Sequence, residues 1–193
     1  MRLIRSWAPR RRLLVLAGAL AASGVRAQGS DRLRESLVKA AFLLRFPSFV
    51  EWPAGTFSTS ESALRIGIAG DDELMRDLRS LARDRAPEER PVVVGRLVPG
   101  ESLAGFHVVY VRAGSPARMS ELLAAAPEGV LTVVDADGQH PPGAVLSFYT
   151  EEGRIRFGAS VGAAGKQRLR LSSRLLTIAR QVQGFSSQDI QLA

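Results

Sequence analysis

Between residues 63 and 134 the chain alternates strand-like and helix-like segments, and this rhythm restricts its fold more than any other feature. Residues 63–69 (ALRIGIA) read as a strand closed by Gly70, after which Asp71 or Asp72 can cap a helix whose apolar face is Leu74, Met75, Leu78 and Leu81. Residues 91–97 (PVVVGRL) and 106–111 (FHVVYV) are further strands, the second apolar enough to be covered on both faces. Ser115-Pro116 opens another helix with Met119, Leu122 and Leu123 inward, and residues 130–134 (VLTVV) form a fourth strand. Alternation of this kind predicts an α/β fold, a three-layer α/β/α arrangement around a mostly parallel sheet. Beyond residue 134 the pattern changes. Residues 144–149 and 154–157 flank Thr150-Glu151-Glu152-Gly153 and read as an antiparallel hairpin at the sheet edge. A last helix begins at Ser172 or Ser173, buries Leu175, Ile178, Ala179 and Val182, and stops at Gly184.

Ahead of the sheet, Leu33, Leu37, Ala40, Ala41 and Leu44 mark a helix over residues 32–46, which Pro47 should end or kink. From Leu37 to Phe46 only Lys39 and Arg45 are charged, so the apolar surface runs most of the way round. Such a helix is either packed on several sides within the fold or meets a partner. Phe46, Phe49 and Trp52 just beyond it favour the partner slightly, because aromatic side chains anchor interfaces.

The N-terminus carries an address. Arg2, Arg5, Arg10, Arg11 and Arg12 precede an apolar run, LLVLAGALAA, and a small-residue exit, Val25-Arg26-Ala27. Basic head, short apolar core and small exit are the parts of a secretory signal peptide, and the run of about 10 residues is too short to span a bilayer. Cleavage is expected between Ala27 and Gln28, leaving residues 28–193 as one domain with a core over 36–182 and a loose polar tail. The cluster Arg10-Arg11-Arg12 hints at twin-arginine export, but arginine clusters arise by chance in such a chain, and the general secretory route is preferred. Removing residues 1–27 removes six arginines and no acid, so the formal net charge drops from +7 to +1. The basic character therefore belongs to the leader, and nucleic-acid binding is not expected.

The sequence holds no cysteine, which excludes thiol catalysis and cysteine-ligated metals. His107, in a strand, and His140, read as a solvated loop residue, lack metal-pair spacing. Asp71, Asp72, Asp135 and Asp137 follow strand ends, the edge where open α/β sheets bind ligands. Phosphoryl transfer there would also need a lysine at a later strand end, and neither Lys39 nor Lys166 falls at one, so capping is the simpler role for these acids. No P-loop, G-x-S-x-G elbow or G-x-G-x-x-G motif is present, and no enzyme, metal or cofactor is expected. Asp71, Asp135 and His107 are retained as a possible ligand edge.

The segment LVKAAFLLRF over 37–46, continuing as FVEWP over 49–53, resembles the opening of the YfiR-like family, the DUF4154 domain. The resemblance continues in order through LRIGIAGDD (64–72), RPVVV (90–94), HVVYV (107–111), VLTV (130–133), RIRF (154–157) and LRLSSRLLTIAR (169–180). Departures include Pro47 in the first helix, Phe106 where relatives carry cysteine, Pro142-Gly143 in place of Gly-Gly, Ser160 in place of asparagine and Gly162 in place of an acid. The resemblance implies a periplasmic, non-enzymatic regulator that restrains the periplasmic portion of an inner-membrane diguanylate cyclase or sensor kinase. A partner or homodimer surface is then expected at Phe42, Arg45, Phe49, Glu51 and Trp52. A small-ligand-binding sensory module is the alternative.

Overall fold

The computed structural model describes residues 23–59, 61–86, 89–98, 100–136 and 139–184. Helix α1 (Ser23–Arg45) ends where expected, because Pro47 opens a 3₁₀ turn, Phe46–Phe49, whose last residue leads into a two-residue strand β1 (Val50–Glu51). The alternating region then builds β2 (Leu64–Ala69), α2 (Asp72–Arg83), β3 (Val92–Arg96), β4 (Val108–Val111), α3 (Pro116–Ala124) and β5 (Leu131–Asp135). Asp71 caps α2 and Ser115 caps α3, each side-chain oxygen accepting an amide three residues on. The remainder is β6 (Leu146–Glu151), β7 (Arg154–Ser160), α4 (Val161–Lys166), β8 (Arg170–Leu171), α5 (Ser173–Ile178) and β9 (Gln181–Gln183).

Among the described residues seven strands form the main sheet in the order β3-β2-β4-β5-β6-β7-β9, and β1 pairs with β8 in a separate antiparallel ribbon. From β3 to β6 every pairing is parallel; β7 is antiparallel to β6 and β9 runs parallel to β7. Strand alternation sorts the core into two layers. Ile66, Ile68, Val108, Tyr110, Leu131, Val133 and Phe148 face Ala40, Leu43 and Phe46 of the first helical stretch together with Leu74 and Leu78 of α2. Val109, Val111 and Val134 face Met119 and Leu123 of α3 on the other side. The expected α/β/α sandwich is present, and β4 is buried along its whole length.

Two expectations need correction. The last helix stops at Ile178, not at Gly184. Ala179 turns extended (φ −67°, ψ 133°), Arg180 donates its amide to the Phe157 carbonyl, and residues 181–183 join β7. Edge pairing thus overrides the helical spacing of Ile178 and Val182, and Ile178 is 60% exposed instead of buried. The hairpin, in turn, is not the sheet edge, because β9 lies outside it. The short elements β1, β8 and α4 carry no periodic signal. Ser160, at the position of the family asparagine, caps α4 by accepting the Ala163 amide. Phe106 lies against the alpha carbons of Gly67 and Gly95 and joins the α3-side core, an apolar role in place of a thiol.

Candidate functional site

The chain leaves β2 toward α2 on one face of the sheet and leaves β4 toward α3 on the other, which opens a crevice between the carboxyl ends of these adjacent strands. Gly70 makes the first turn possible. Its φ of +80° suits glycine, and a Cβ there would stand 1.9 Å from the Arg112 carbonyl oxygen. One oxygen of Asp71 accepts the Leu74 amide at 2.9 Å to cap α2, and the other accepts from Arg112 Nη1 at 3.0 Å. Arg112 Nε lies 3.4 Å from Asp135 Oδ2. The structure therefore brings Asp71 and Asp135 to one edge, joined by an arginine that the strand pattern did not single out.

Asp135 is also the anchor of the first helix. Lys39 Nζ donates to both of its carboxylate oxygens at 2.9 Å, and the Tyr110 hydroxyl donates to Oδ2 at 3.1 Å. Glu35, one turn before Lys39, pairs with the same ammonium. Lys39 belongs to no strand end, as the sequence indicates, yet its side chain reaches one: it arrives from α1 across the sheet face and is only 3% exposed. Burial, and after it the Asp135 charge, pushes the Tyr110 phenol well above its ordinary range, so it serves as a permanent donor. A signal for this pair existed. Lys39 shares an inward face with Ser36, Ala40 and Leu43, and a buried ammonium requires a carboxylate. Asp72 is exposed and pairs with Arg96 at 2.5 Å; Asp137 lies outside the described residues.

His107 does not belong to this edge. It precedes β4 and so sits at the opposite, amino end of the strand, where Nδ1 accepts the Arg65 amide at 3.0 Å and the ring stacks on Phe57 at 4.6 Å. Burial first, with Arg65 and Arg90 adding to it, holds its pKa below the ordinary histidine value. His140 is not free in solvent either. Its Nε2 lies 2.7 Å from the Ala144 carbonyl and therefore donates to it, its Nδ1 lies 2.7 Å from Ser147 Oγ, and burial lowers its pKa.

The expected partner residues divide into two groups. Phe42, Arg45 and Phe49 line an apolar groove of about 360 Å³ with Val38, Leu175 and Ile178. Phe42 stacks on Phe46 at 5.6 Å and leans on Phe148 and Phe157, which fixes the groove floor to the core. Val38 and Ile178 are 41% and 60% exposed, large values for side chains of this kind. Trp52 and Glu51 lie apart from it. Trp52 packs edge-on against Phe57 (5.8 Å) and His107 (6.2 Å), while Glu51 makes an exposed pair with Arg170 at 3.6 Å.

The order of segments seen here is that of a known family: the YfiR/HmsC-like model, DUF4154, matches residues 36–180. The chain belongs to the YfiR/HmsC-like family. This is a family of periplasmic regulatory proteins, not one defined by catalysis. No curated protein matches the chain. No described helix of this YfiR/HmsC-like protein is long and apolar enough to cross a membrane. The leader assigned to residues 1–27 lies outside the described residues as far as residue 22, and the tail beyond residue 184 likewise; Ala27 and Gln28 fall within α1.

Proposed function

We propose that the protein is exported, loses residues 1–27, and acts in the periplasm as a non-enzymatic regulator. It binds the periplasmic portion of an inner-membrane diguanylate cyclase or sensor kinase and holds it in a state of low activity. The observation that carries this reading is the groove between α1 and α5, apolar almost throughout and flanked by the exposed Val38 and Ile178. A regulator of this kind needs only a surface that prefers one conformation of its receptor, since differential affinity alone shifts the population. The same surface is the proposed homodimer contact, so receptor capture and self-association would compete for it.

Ile178→Arg tests the reading, because the side chain is already exposed and its replacement leaves the core untouched. The variant should raise cyclic-di-GMP in cells that carry a cognate cyclase, with an unchanged melting temperature. Unchanged nucleotide levels at equal expression would sink the groove as the receptor surface. N-terminal sequencing of the periplasmic fraction should begin at Gln28. The second reading, a small-ligand sensor, draws on the crevice between Gly70 and Arg112, which stands at the point where strand connections diverge.

A further inference from the structure

The crevice has a chemistry of its own. It encloses about 130 Å³, walled on the α3 side by Leu97, Leu103 and Leu122 and opening past Arg112 and Arg118. Among the described residues no carboxylate lines it. Asp71 accepts from Nη1 of Arg112 and Asp135 lies 3.4 Å from its Nε, while Nη2 makes no hydrogen bond to the described residues. Arg118, exposed on the first turn of α3, makes no ion pair among the described residues. Gly70 lets its backbone approach that of Arg112, where any side chain would collide with the Arg112 carbonyl.

Two guanidinium groups beside a small apolar recess fit one class of compound. We propose that this crevice binds a small aliphatic monocarboxylate, with its head between Arg112 and Arg118 and its hydrocarbon tail among Leu97, Leu103 and Leu122. The inference rests on the ligand-sensor reading and is independent of receptor docking. Arginine recognises a carboxylate through paired, charge-assisted hydrogen bonds. The leucines reward a tail, whereas a bare phosphate would bring a second charge toward Asp71 and leave the recess unfilled. The volume limits the tail to a few carbons. The site also reaches the first helix, because Arg112 shares Asp135 with Lys39.

The test uses the exported chain and a homologous series: acetate, propanoate, butanoate and 3-methylbutanoate, with 3-methylbutanamide and inorganic phosphate as controls. Each methylene should tighten binding about fourfold until the recess is full. At about ten times its Kd, 3-methylbutanoate should raise Tm by roughly 3–6 °C. Amide NMR shifts should centre on Gly70, Ala113 and Gly114. Arg118→Gln and the neutral amide should each lose at least about tenfold in affinity, as expected for a charge-assisted contact. Equal binding of acetate and 3-methylbutanoate, of acid and amide, or of wild type and Arg118→Gln would overturn the carboxylate assignment. A neutral compound or phosphate that shifts the same amides with an affinity equal to or above that of 3-methylbutanoate would overturn that assignment while keeping the crevice as a ligand site. Silence of those amides toward every compound would overturn both.

Discussion

Replacing Lys39 with methionine isolates the ionic anchor of the first helix. Methionine keeps the length and apolar stem of lysine and removes only the ammonium. Asp135, whose side chain is 14% exposed, then loses two hydrogen bonds and its nearest countercharge. Breaking a buried ion pair from one side costs about 3–5 kcal/mol, because the remaining charge stays desolvated. Asp135 keeps Tyr110 at 3.1 Å and the partly exposed Arg112 at 3.4 Å, so the lower end applies, about 3 kcal/mol. For a domain of this size that corresponds to a fall in Tm of about 6–12 °C, measured by calorimetry or circular dichroism. Asp135→Asn should be similarly costly, and the double variant should cost less than the two single effects combined by at least about 1 kcal/mol. A Lys39→Met protein within about 0.5 kcal/mol of wild type, or strictly additive changes, would refute the view that this pair holds α1 to the sheet.

Other perturbations follow from the same geometry. His107 and His140 both have lowered pKa values in the folded state, chiefly through burial, so the unfolded chain binds more protons below about pH 6.5. Their contribution is complete above that value and is lost as pH falls, so the urea midpoint should move down between about pH 7 and 5, and a flat profile would contradict the assignment. Gly70→Ala should destabilise by more than about 2 kcal/mol in urea titration, since it combines a strained φ with a backbone collision. Trp52→Asp should cost about 1–3 kcal/mol in thermal melts and report on the Phe57–His107 stack, so it is not a clean probe of partner binding.

The parallel part of the fold was legible because each of its strands and helices carries its own period: the alternation of Leu64, Ile66 and Ile68 and the stripe of Leu74, Met75 and Leu78 both survive in the core. What failed was decided by partners distant in sequence. Leu175, Ile178 and Val182 have helical spacing, yet β7 offers backbone hydrogen bonds that draw residues 181–183 into the sheet. Lys39 does not fall at a strand end in the sequence, and the strand-end carboxylate it reaches is 96 residues away. Of the site residues, the aspartates could be placed at the carboxyl edge from strand ends alone. The histidines could not, since a ring in a strand or loop gives no sign of which neighbours will satisfy its nitrogens.

The β1–β8 ribbon sets Val50 opposite Leu171 and Glu51 opposite Arg170, and the Ser172 amide donates to the Phe49 carbonyl at 2.9 Å. These bonds clasp the 3₁₀ turn to the start of α5, the two banks between which Phe49 and Leu175 meet. A partner docking as proposed would therefore find a slot already cut to width and spend no free energy bringing its sides together. Loosening the clasp should weaken capture while every contacting side chain stays the same.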